Sequence, residues 1–258
     1  MKDDFEYVEP INVKDMADCF FYHCMSLPES GEVGTQWDLR DTINEYLGNF
    51  NFSGKRVLDM GAASGFLTFE MEKRGADVVS FDMNDGAQWN IVPQYNSQRS
   101  LENALKERSL KHQKLKNAYW FIHREIQSNA KVYYGDIYNL PDALGQFDVA
   151  IFGMILSHLR DPFQALYSAS RLVKNTIIVT NQTLKTEEPI AYFMPSRENM
   201  KPVWWFFSDG CIKRMLGVLG FEVKYTVISN PRCLKKDKDQ EGHQLCTAFV
   251  AQRRSSPF

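Results

Sequence analysis

The sequence predicts an α/β protein with a mostly parallel sheet that is closed by a C-terminal antiparallel hairpin. From about residue 55, short apolar runs alternate with helical stretches, which is typical of parallel strands covered on both faces. The last two apolar runs, 221–229 and 244–252, are separated by the charged stretch 235–243, with no segment that fits a helix. We therefore expect these two runs to pair antiparallel, unlike dinucleotide-binding folds, which cross over to their last strand.

The remaining elements follow in order. Five strands are expected before the hairpin, at 56–60, 77–82, 131–136, 147–153 and 175–180. Helices are expected at 41–47, from Phe66 to a stop at Gly75, and from Asp209 to Leu219 before Gly220. Between Asp82 and Val132 the chain is longer than one crossover helix requires.

These lengths predict one domain with additions. We expect the main domain at 53–252, with insertions at about 88–130 and 183–207. A lid or substrate segment is expected at 1–52, and a loose tail at 253–258.

Composition excludes several classes of protein. The chain has 258 residues and a net charge of −2, so nucleic acid would have to bind to a local basic patch. No apolar run reaches the roughly 18 residues of a membrane span. The five cysteines are dispersed, without a C-x-x-C pair, which favours reduced thiols and no metal site. The N-terminus has no signal-peptide core, so we expect a cytoplasmic protein.

The stretch VLDMGAASGF, residues 57–66, is the most informative motif. It lacks the glycine pattern of a pyrophosphate loop, since Ala63 and Phe66 stand where glycines are needed. It also lacks the Lys-Ser or Lys-Thr of a P-loop. An acid, Asp59, ends the strand instead, and an acid suits a cationic ligand better than a phosphate.

The ordered acids and glycines resemble those of class I S-adenosylmethionine-dependent methyltransferases. The first motif of that superfamily reads acid-x-Gly-x-Gly-x-Gly, and this chain matches it with Asp59, Gly61 and Gly65. Ala63 takes the middle position, where a methyl group is unfavourable only if the backbone needs φ > 0. The resemblance covers roughly 53–182 and 208–252 and implies a Rossmann-like sheet with S-adenosyl-L-methionine as cofactor.

The resemblance also implies the roles of the later motifs. Asp82 and the adjacent Met83 would bind the ribose, and Asp136 and Ile137 the adenine. Phe152 and Gly153, at the end of the fourth strand, would lie beneath the reacting centre. Each acid alone is equally consistent with an ordinary turn or cap, whereas acids at successive strand ends of one sheet indicate a ligand site.

Methyl transfer needs alignment and exclusion of water rather than a covalent nucleophile. A base is needed only if the acceptor keeps its proton. His158 follows the fourth strand and is the candidate base, with a structural role at the start of the next helix as the alternative. His23, His112 and His123 are expected at the surface or in packing.

Two insertions are candidates for acceptor recognition. From 99 to 124 there are seven Lys or Arg against two Glu, a local charge of +5, on a predicted amphipathic helix. A solvated face is favoured there, and a clamp for an anionic substrate or RNA is the alternative. The second insertion is rich in aromatic residues, which serve either a planar acceptor or the core. The substrate candidates are Trp37, Arg40, Tyr192, Trp204 and Trp205.

A narrower resemblance is to the tRNA wobble-uridine carboxymethyltransferase branch. AYFMPS at 191–196 is similar to a Tyr-Phe-x-Pro-Ser element of that branch, and QWDLR at 36–40 to its tryptophan segment. Where that branch has a Tyr-His pair, this chain has Ser157-His158, and no upstream carboxylate-binding lysine is found. These departures favour plain methyl transfer.

The sequence therefore predicts a methyltransferase for a soluble small-molecule acceptor. A tRNA modification enzyme is the first alternative, and a non-catalytic cofactor-binding or interaction protein is the second. The glycine pattern and the closing hairpin disfavour a nicotinamide dehydrogenase.

Overall fold

The computed structural model describes residues 5–84, 98–194, 203–234 and 241–255. The parts of our predictions that fall on 88–97, on Pro195 and Ser196, on 235–240 and on 256–258 lie outside these residues. The same holds for the side chain of Arg99.

A seven-stranded sheet organises the described residues. Its strands in chain order are β1 (Arg56–Met60), β2 (Asp77–Met83), β3 (Lys131–Gly135), β4 (Phe147–Gly153), β5 (Val173–Asn181), β6 (Phe221–Ser229) and β7 (Cys246–Arg253). Their order across the sheet is β6-β7-β5-β4-β1-β2-β3. Strands β1 to β5 are parallel, and β7 pairs antiparallel with both β5 and β6. The predicted α/β fold with its closing hairpin is confirmed.

Five α-helices accompany this sheet in the described ranges: α1 (Ile43–Tyr46), α2 (Phe66–Lys73), α3 (Gln98–Glu125), α4 (Pro162–Ser170) and α5 (Asp209–Val218). Short 3₁₀ turns lie at Met16–Asp18, Arg40–Thr42, Asp142–Leu144 and Leu156–His158. α4 begins as its sequence indicates, because the Asp161 side chain accepts from Gln164 N–H and Pro162 occupies the first turn.

Alternate residues of each buried strand pack into two cores on opposite faces of the sheet. In β1, Val57 packs with α2, the C-terminal half of α3 and the N-terminal segment, whereas Leu58 packs with α4 and α5. Both side chains are fully buried, as expected of a sheet covered on both faces.

The N-terminal segment is part of the first core. Phe21, Leu39, Tyr46 and Leu47 are buried there, and Val8 N–H donates to the Val132 carbonyl oxygen on the edge strand β3. Folding therefore buries this segment against α3 and the sheet.

In the described residues, eight short strands lie outside the central sheet; they were not predicted, because two to four residues carry no clear alternation. They form a hairpin (Met25–Leu27 and Gly31–Val33) and two small sheets (Thr183–Leu184, Ala191–Phe193 and Trp205–Ser208; Trp37–Asp38, Arg232–Leu234 and Glu241–His243). Residues 241–243 were expected in a loop, and instead they pair with 232–234.

The predicted tail starts at 253, but Arg253 is the last residue of β7. Its guanidinium donates to the carbonyl oxygens of Ser170 and Val173, so this residue is anchored to the sheet.

Candidate active site

The candidate site lies at the carboxyl edge of the parallel strands, where the strand order reverses between β1 and β4. β2 and β3 extend on one side of β1, and β4 and β5 lie on the other. The loops after β1 and β4 therefore face one crevice, where ligands bind in open α/β sheets. The loops approach closely, since a Cβ atom on Gly61 would lie 2.3 Å from Cδ1 of Ile155.

Residues 61–65 turn the chain from β1 into α2 through left-handed backbone conformations. The φ angles are +85° at Gly61, +52° at Ala63 and +89° at Gly65. Glycine adopts such angles freely, whereas an alanine is destabilised by about 1–2 kcal/mol. Ala63 thus meets the condition under which its methyl group is unfavourable. The loop also leaves no room at Gly65, where a Cβ atom would lie 2.3 Å from the Phe69 ring.

Asp59 is a fully buried acid at the end of β1. Its Oδ2 accepts from Thr68 Oγ1 at 2.6 Å, and the Thr68 hydroxyl also contacts Ser80 Oγ at 2.7 Å. Oδ1 is buried with no hydrogen-bond partner in the described part of the chain. Burial raises the pKa of the carboxyl to about 7, against the hydrogen bond from Thr68. A cationic ligand would supply the missing partner.

Asp82 at the end of β2 already accepts three hydrogen bonds. Ala63 N–H donates to Oδ2 at 2.9 Å and Met83 N–H to Oδ1 at 2.7 Å. His112 Nε2, on α3, lies 3.3 Å from Oδ1, and this ring is buried. His112 was expected at the surface or in packing. Its contact with Asp82 joins residues 30 apart in the chain, and such a contact leaves no local pattern in the sequence.

The adenine candidates follow β3 at the same edge. Asp136 is exposed, and its Oδ1 accepts from Tyr138 N–H at 2.9 Å. The carboxylate therefore stabilises the turn in which it lies. Ile137 is buried. At the end of β4, Phe152 is fully buried, and Gly153 faces Leu67 and the hydroxyl of Tyr46.

His23 lies beside the 61–65 loop, a contact for which no sequence motif is visible. Its backbone N–H donates to Ser64 Oγ at 3.4 Å, and its ring centroid is 5.6 Å from that of Phe66. Nδ1 is buried with no hydrogen-bond partner among the described residues. Burial lowers the pKa of the imidazole to about 3, so the ring is neutral at pH 7.

His158 ends the 3₁₀ turn that follows β4, and its side chain is exposed. The turn is fixed from below by Asn181, whose Nδ2 donates to Ser157 Oγ at 3.0 Å. His158 therefore lies on the solvent side of the crevice, on a firmly held backbone.

The aromatic insertion docks on this same turn. Trp204 N–H donates to the Ser157 carbonyl oxygen at 2.7 Å, and Trp205 Nε1–H to that of Arg160 at 3.2 Å. Tyr192 and Phe193 lie on the paired strand and are 49% and 62% exposed. Two of the substrate candidates, Trp204 and Trp205, thus contact the segment around His158, and Tyr192 lies on the strand that pairs with Trp205–Ser208.

The other two substrate candidates are engaged within the N-terminal segment. Trp37 Nε1–H donates to the Tyr22 hydroxyl at 2.9 Å. Arg40 makes a two-pronged contact with Asp38, through Nε to Oδ1 at 2.9 Å and Nη2 to Oδ2 at 2.8 Å, and a further ion pair with Glu32. This geometry gives Arg40 a role in holding the segment together.

The basic helix α3 is amphipathic as predicted, with Tyr119 and Ile122 buried. Several of its charges contact the protein itself. Lys114 Nζ donates to the Ala17 carbonyl oxygen at 3.0 Å, and Lys111 Nζ lies 4.5 Å from the Phe20 ring centroid. Arg124 donates to Asn12 Oδ1 at 2.8 Å. These charges hold the N-terminal segment.

The residues around the 61–65 loop fit S-adenosylmethionine. The buried Asp59 Oδ1 lacks a hydrogen-bond donor, which an ammonium group would provide. Asp82 presents a carboxylate at the next strand end, and the loop between the two acids turns tightly with the small side chains of residues 61–65. Within the described residues, no group of three or more His, Cys, Asp or Glu could hold a metal ion. None of the described helices has the length and apolar character to cross a membrane.

Comparison with known proteins agrees with this geometry. Residues 35–226, more than half of the chain, match the family model of a methyltransferase domain. An uncharacterized methyltransferase of Schizosaccharomyces pombe is 27% identical over 139 residues, which are 54% of this chain and 43% of that protein. The ubiquinone biosynthesis O-methyltransferase of Acinetobacter baylyi is 26% identical over 132 residues, 51% of this chain and 44% of the relative. The matched regions thus span less than half the length of these two relatives.

Among solved structures, the magnesium protoporphyrin IX methyltransferase of Synechocystis PCC 6803 with bound S-adenosylhomocysteine superposes with a TM-score of 0.53. The match covers 84% of this chain and 82% of that one, at 14% identity. A likeness at this identity supports the fold.

Proposed function

Because this chain belongs to the methyltransferase-domain family of class I, S-adenosylmethionine-dependent enzymes, we propose that it transfers a methyl group to a soluble small-molecule acceptor. The observation that carries the proposal is the pair of acids at neighbouring strand ends, Asp59 with an unpartnered buried oxygen and Asp82 tied to the loop between them. Bound S-adenosylmethionine supplies an electrophilic methyl group on its sulfonium.

The chain's own residues would bind and align. Asp59 would accept from the ammonium of the methionine part, with Gly61, Ala63 and Gly65 giving close backbone approach. Asp82 and Met83 would hold the ribose, and Asp136 and Ile137 the adenine. Phe152 and Gly153 would form the floor. Rigid positioning of this kind is the main contribution of a protein to an in-line displacement.

His158 is our candidate base, because its exposed ring lies on a fixed turn beside the aromatic insertion. Trp204 and Trp205 contact the residues on either side of His158, and with Tyr192 on the neighbouring strand they suit a planar or apolar acceptor. The small-molecule assignment agrees with the relative that is named for ubiquinone biosynthesis. Trp37 and Arg40 stay candidates for the acceptor pocket, although their contacts favour a structural role.

The alternative acceptor is a tRNA, and the contacts of α3 count against it. Phosphate binding needs lysines and arginines that face solvent together, whereas Lys111, Lys114 and Arg124 contact the N-terminal segment. A second alternative, a non-catalytic cofactor-binding protein, shares the same cofactor site and differs only in turnover.

Calorimetric titration with S-adenosylmethionine and S-adenosylhomocysteine tests the proposal, with Asp82→Ala beside the wild type. We expect binding to the wild type and its loss in the variant. Asp148→Asn is the matched control, because this acid accepts from Arg56 N–H at the opposite edge of the sheet. Absence of binding to the wild type, with and without candidate acceptors, would refute the cofactor assignment.

A methyl-transfer assay then separates the acceptors. Small metabolites with ionisable O–H or N–H groups are screened first, and bulk tRNA second. Turnover on tRNA alone would refute the small-molecule proposal, and binding without any turnover would favour the non-catalytic alternative.

A further inference from the structure

The N-terminal segment places an unpartnered polar atom beside the cofactor loop. His23 N–H donates to the hydroxyl of Ser64, in the loop itself, and the His23 ring lies next to Phe66, the first residue of α2. The ring is further fixed by Tyr22, whose ring centroid is 4.8 Å away at an interplanar angle of 84°. His23 therefore has a fixed position over the start of α2.

Two buried atoms near this loop lack hydrogen-bond partners in the described residues, His23 Nδ1 and Asp59 Oδ1. They are chemically opposite. A carboxylate oxygen accepts only, whereas a neutral imidazole carries one N–H that donates. Leaving either group buried and unpaired is unfavourable by about 1–3 kcal/mol. With the proton of the neutral ring on Nδ1, the free protein holds one buried donor and one buried acceptor for a ligand.

We propose that His23 binds the α-carboxylate of the methionine part of the cofactor, opposite Asp59, which binds its α-ammonium. An α-amino acid group carries these two charges on neighbouring atoms and so satisfies both unpartnered groups at once. The first-turn N–H groups of α2, which begins at Phe66, add a favourable dipole for the carboxylate. The inference rests on the cofactor assignment above.

The protonation state of His23 agrees with a donor role. Burial lowers the pKa of the imidazole to about 3, so the ring is neutral at pH 7 and donates through one nitrogen. A base would need a pKa near the working pH. His23 is thus assigned to binding rather than to proton transfer.

Cofactor analogues that lack the carboxylate test the inference. S-adenosylhomocysteine, its decarboxylated derivative (which keeps the ammonium) and methylthioadenosine (which lacks both groups) are titrated into the wild type, His23→Ala and His23→Asn. A hydrogen bond to a charged group predicts that His23→Ala weakens binding of S-adenosylhomocysteine by roughly tenfold or more. Affinity for the decarboxylated derivative should stay within twofold of the wild-type value.

Two further variants complete the design. The amide nitrogen of His23→Asn stands near the position of Nδ1, so this variant should recover part of the lost affinity. His243→Ala removes an exposed imidazole on the strand Glu241–His243 and should change none of the affinities. Circular dichroism shows which variants are folded, and His23→Asn carries the test if His23→Ala does not fold.

The outcomes are distinct. An equal loss for all three ligands in His23→Ala would mean that the ring only packs against the loop, and would overturn the inference. Unchanged affinity for S-adenosylhomocysteine would overturn it as well. In both cases the wild type still binds the cofactor, so the proposed function would stand.

Discussion

The backbone N–H of Ala63 donates a hydrogen bond to Oδ2 of Asp82 over 2.9 Å. This bond joins the turn after β1 to the acid at the end of β2, so the two motifs that the sequence presents 19 residues apart form one unit. The turn is further attached to β2 by Gly61 and Ala62, whose N–H groups both donate to the Phe81 carbonyl oxygen. A change at Ala63 therefore affects both the loop and the acid.

Ala63→Gly should stabilise the protein relative to Ala62→Gly. Ala63 has φ of +52°, and glycine removes the steric cost of about 1–2 kcal/mol for that conformation. Glycine also has more conformational freedom in the unfolded chain, and this entropy cancels roughly 0.5–1 kcal/mol of that gain. We expect a melting temperature at or above that of the wild type and tighter binding of S-adenosylhomocysteine.

Ala62 is the matched control, because it is buried in the same loop without a positive φ. Ala62→Gly has only the entropic penalty and the lost contacts, so it should lower the melting temperature. Equal destabilisation by both glycines in thermal unfolding would contradict our account of the turn.

Asp59→Asn should raise the stability of the free protein above pH 7 and weaken cofactor binding. The folded carboxyl has a pKa raised to about 7, above the roughly 3.9 of an unfolded aspartate. Its neutral form therefore favours folding below pH 4, and that contribution is lost as the pH rises towards 7. An asparagine stays neutral and can still accept from Thr68.

Melting temperatures and affinities at pH 5.5 and pH 8 measure both effects. The difference in stability between Asp59→Asn and the wild type should grow with pH. Wild-type affinity for S-adenosylhomocysteine should rise between these pH values, because the ammonium prefers the ionised acid, whereas that of Asp59→Asn should stay low and flat. A wild-type affinity independent of pH would show that Asp59 does not meet the ammonium.

The central sheet was predictable because its inner strands β1, β2, β4 and β5 are largely buried on both faces. β4 was expected at 147–153 and spans Phe147–Gly153, since a continuous apolar run ends at a glycine there. The antiparallel closure was predicted because the charged sequence between 229 and 244 has no pattern that fits a helix. The short outer strands were missed because pairing with distant segments, such as Trp37 with Cys233, leaves no local pattern.

The site was predictable only where a residue belongs to a strand end. Asp59 and Asp82 could be named from their spacing, whereas His23 and His112 come to the site through contacts across 41 and 30 residues of chain. A histidine in an insertion carries no local sign of such a contact. For Arg40 a local signal did exist, since Asp38 lies two residues earlier and binds it.

His158→Ala should lower turnover while leaving cofactor affinity unchanged. The ring is exposed on the turn after β4, and loss of a general base typically reduces the rate by a factor of roughly 10²–10⁴. The effect requires an acceptor that keeps its proton, so turnover should recover as the assay pH approaches the pKa of that acceptor. Initial rates from pH 6 to 10, with affinities for S-adenosylhomocysteine alongside, measure it. A loss that persists at every pH would assign His158 to the structure of the turn.

Glu125→Ala should loosen the N-terminal segment, in which His23 lies. The Glu125 carboxylate, at the end of α3, accepts from Glu29 N–H and Ser30 N–H at 2.8 Å and from Ser30 Oγ at 2.6 Å. Burial raises the pKa of this carboxyl, but these hydrogen bonds and nearby Arg124 lower it overall. A hydrogen bond to a charged group contributes about 1.5–3 kcal/mol. Because the segment rearranges after the substitution, we expect the free energy of unfolding to fall by about 2 kcal/mol in total.

The pH dependence separates this contact from general damage. An acid whose folded pKa is lowered stabilises the protein above its unfolded pKa of about 4.3 and loses that effect as the pH falls through the folded value. The difference in melting temperature between the wild type and Glu125→Ala should therefore shrink below pH 4. Glu102→Ala, on the same helix and exposed, should leave stability nearly unchanged. The hairpin 25–33 carries buried Met25 and Leu27 into the core, close in the chain to His23. Glu125→Ala should therefore also speed amide hydrogen exchange in this hairpin. An unchanged exchange rate would show that core packing alone holds the segment.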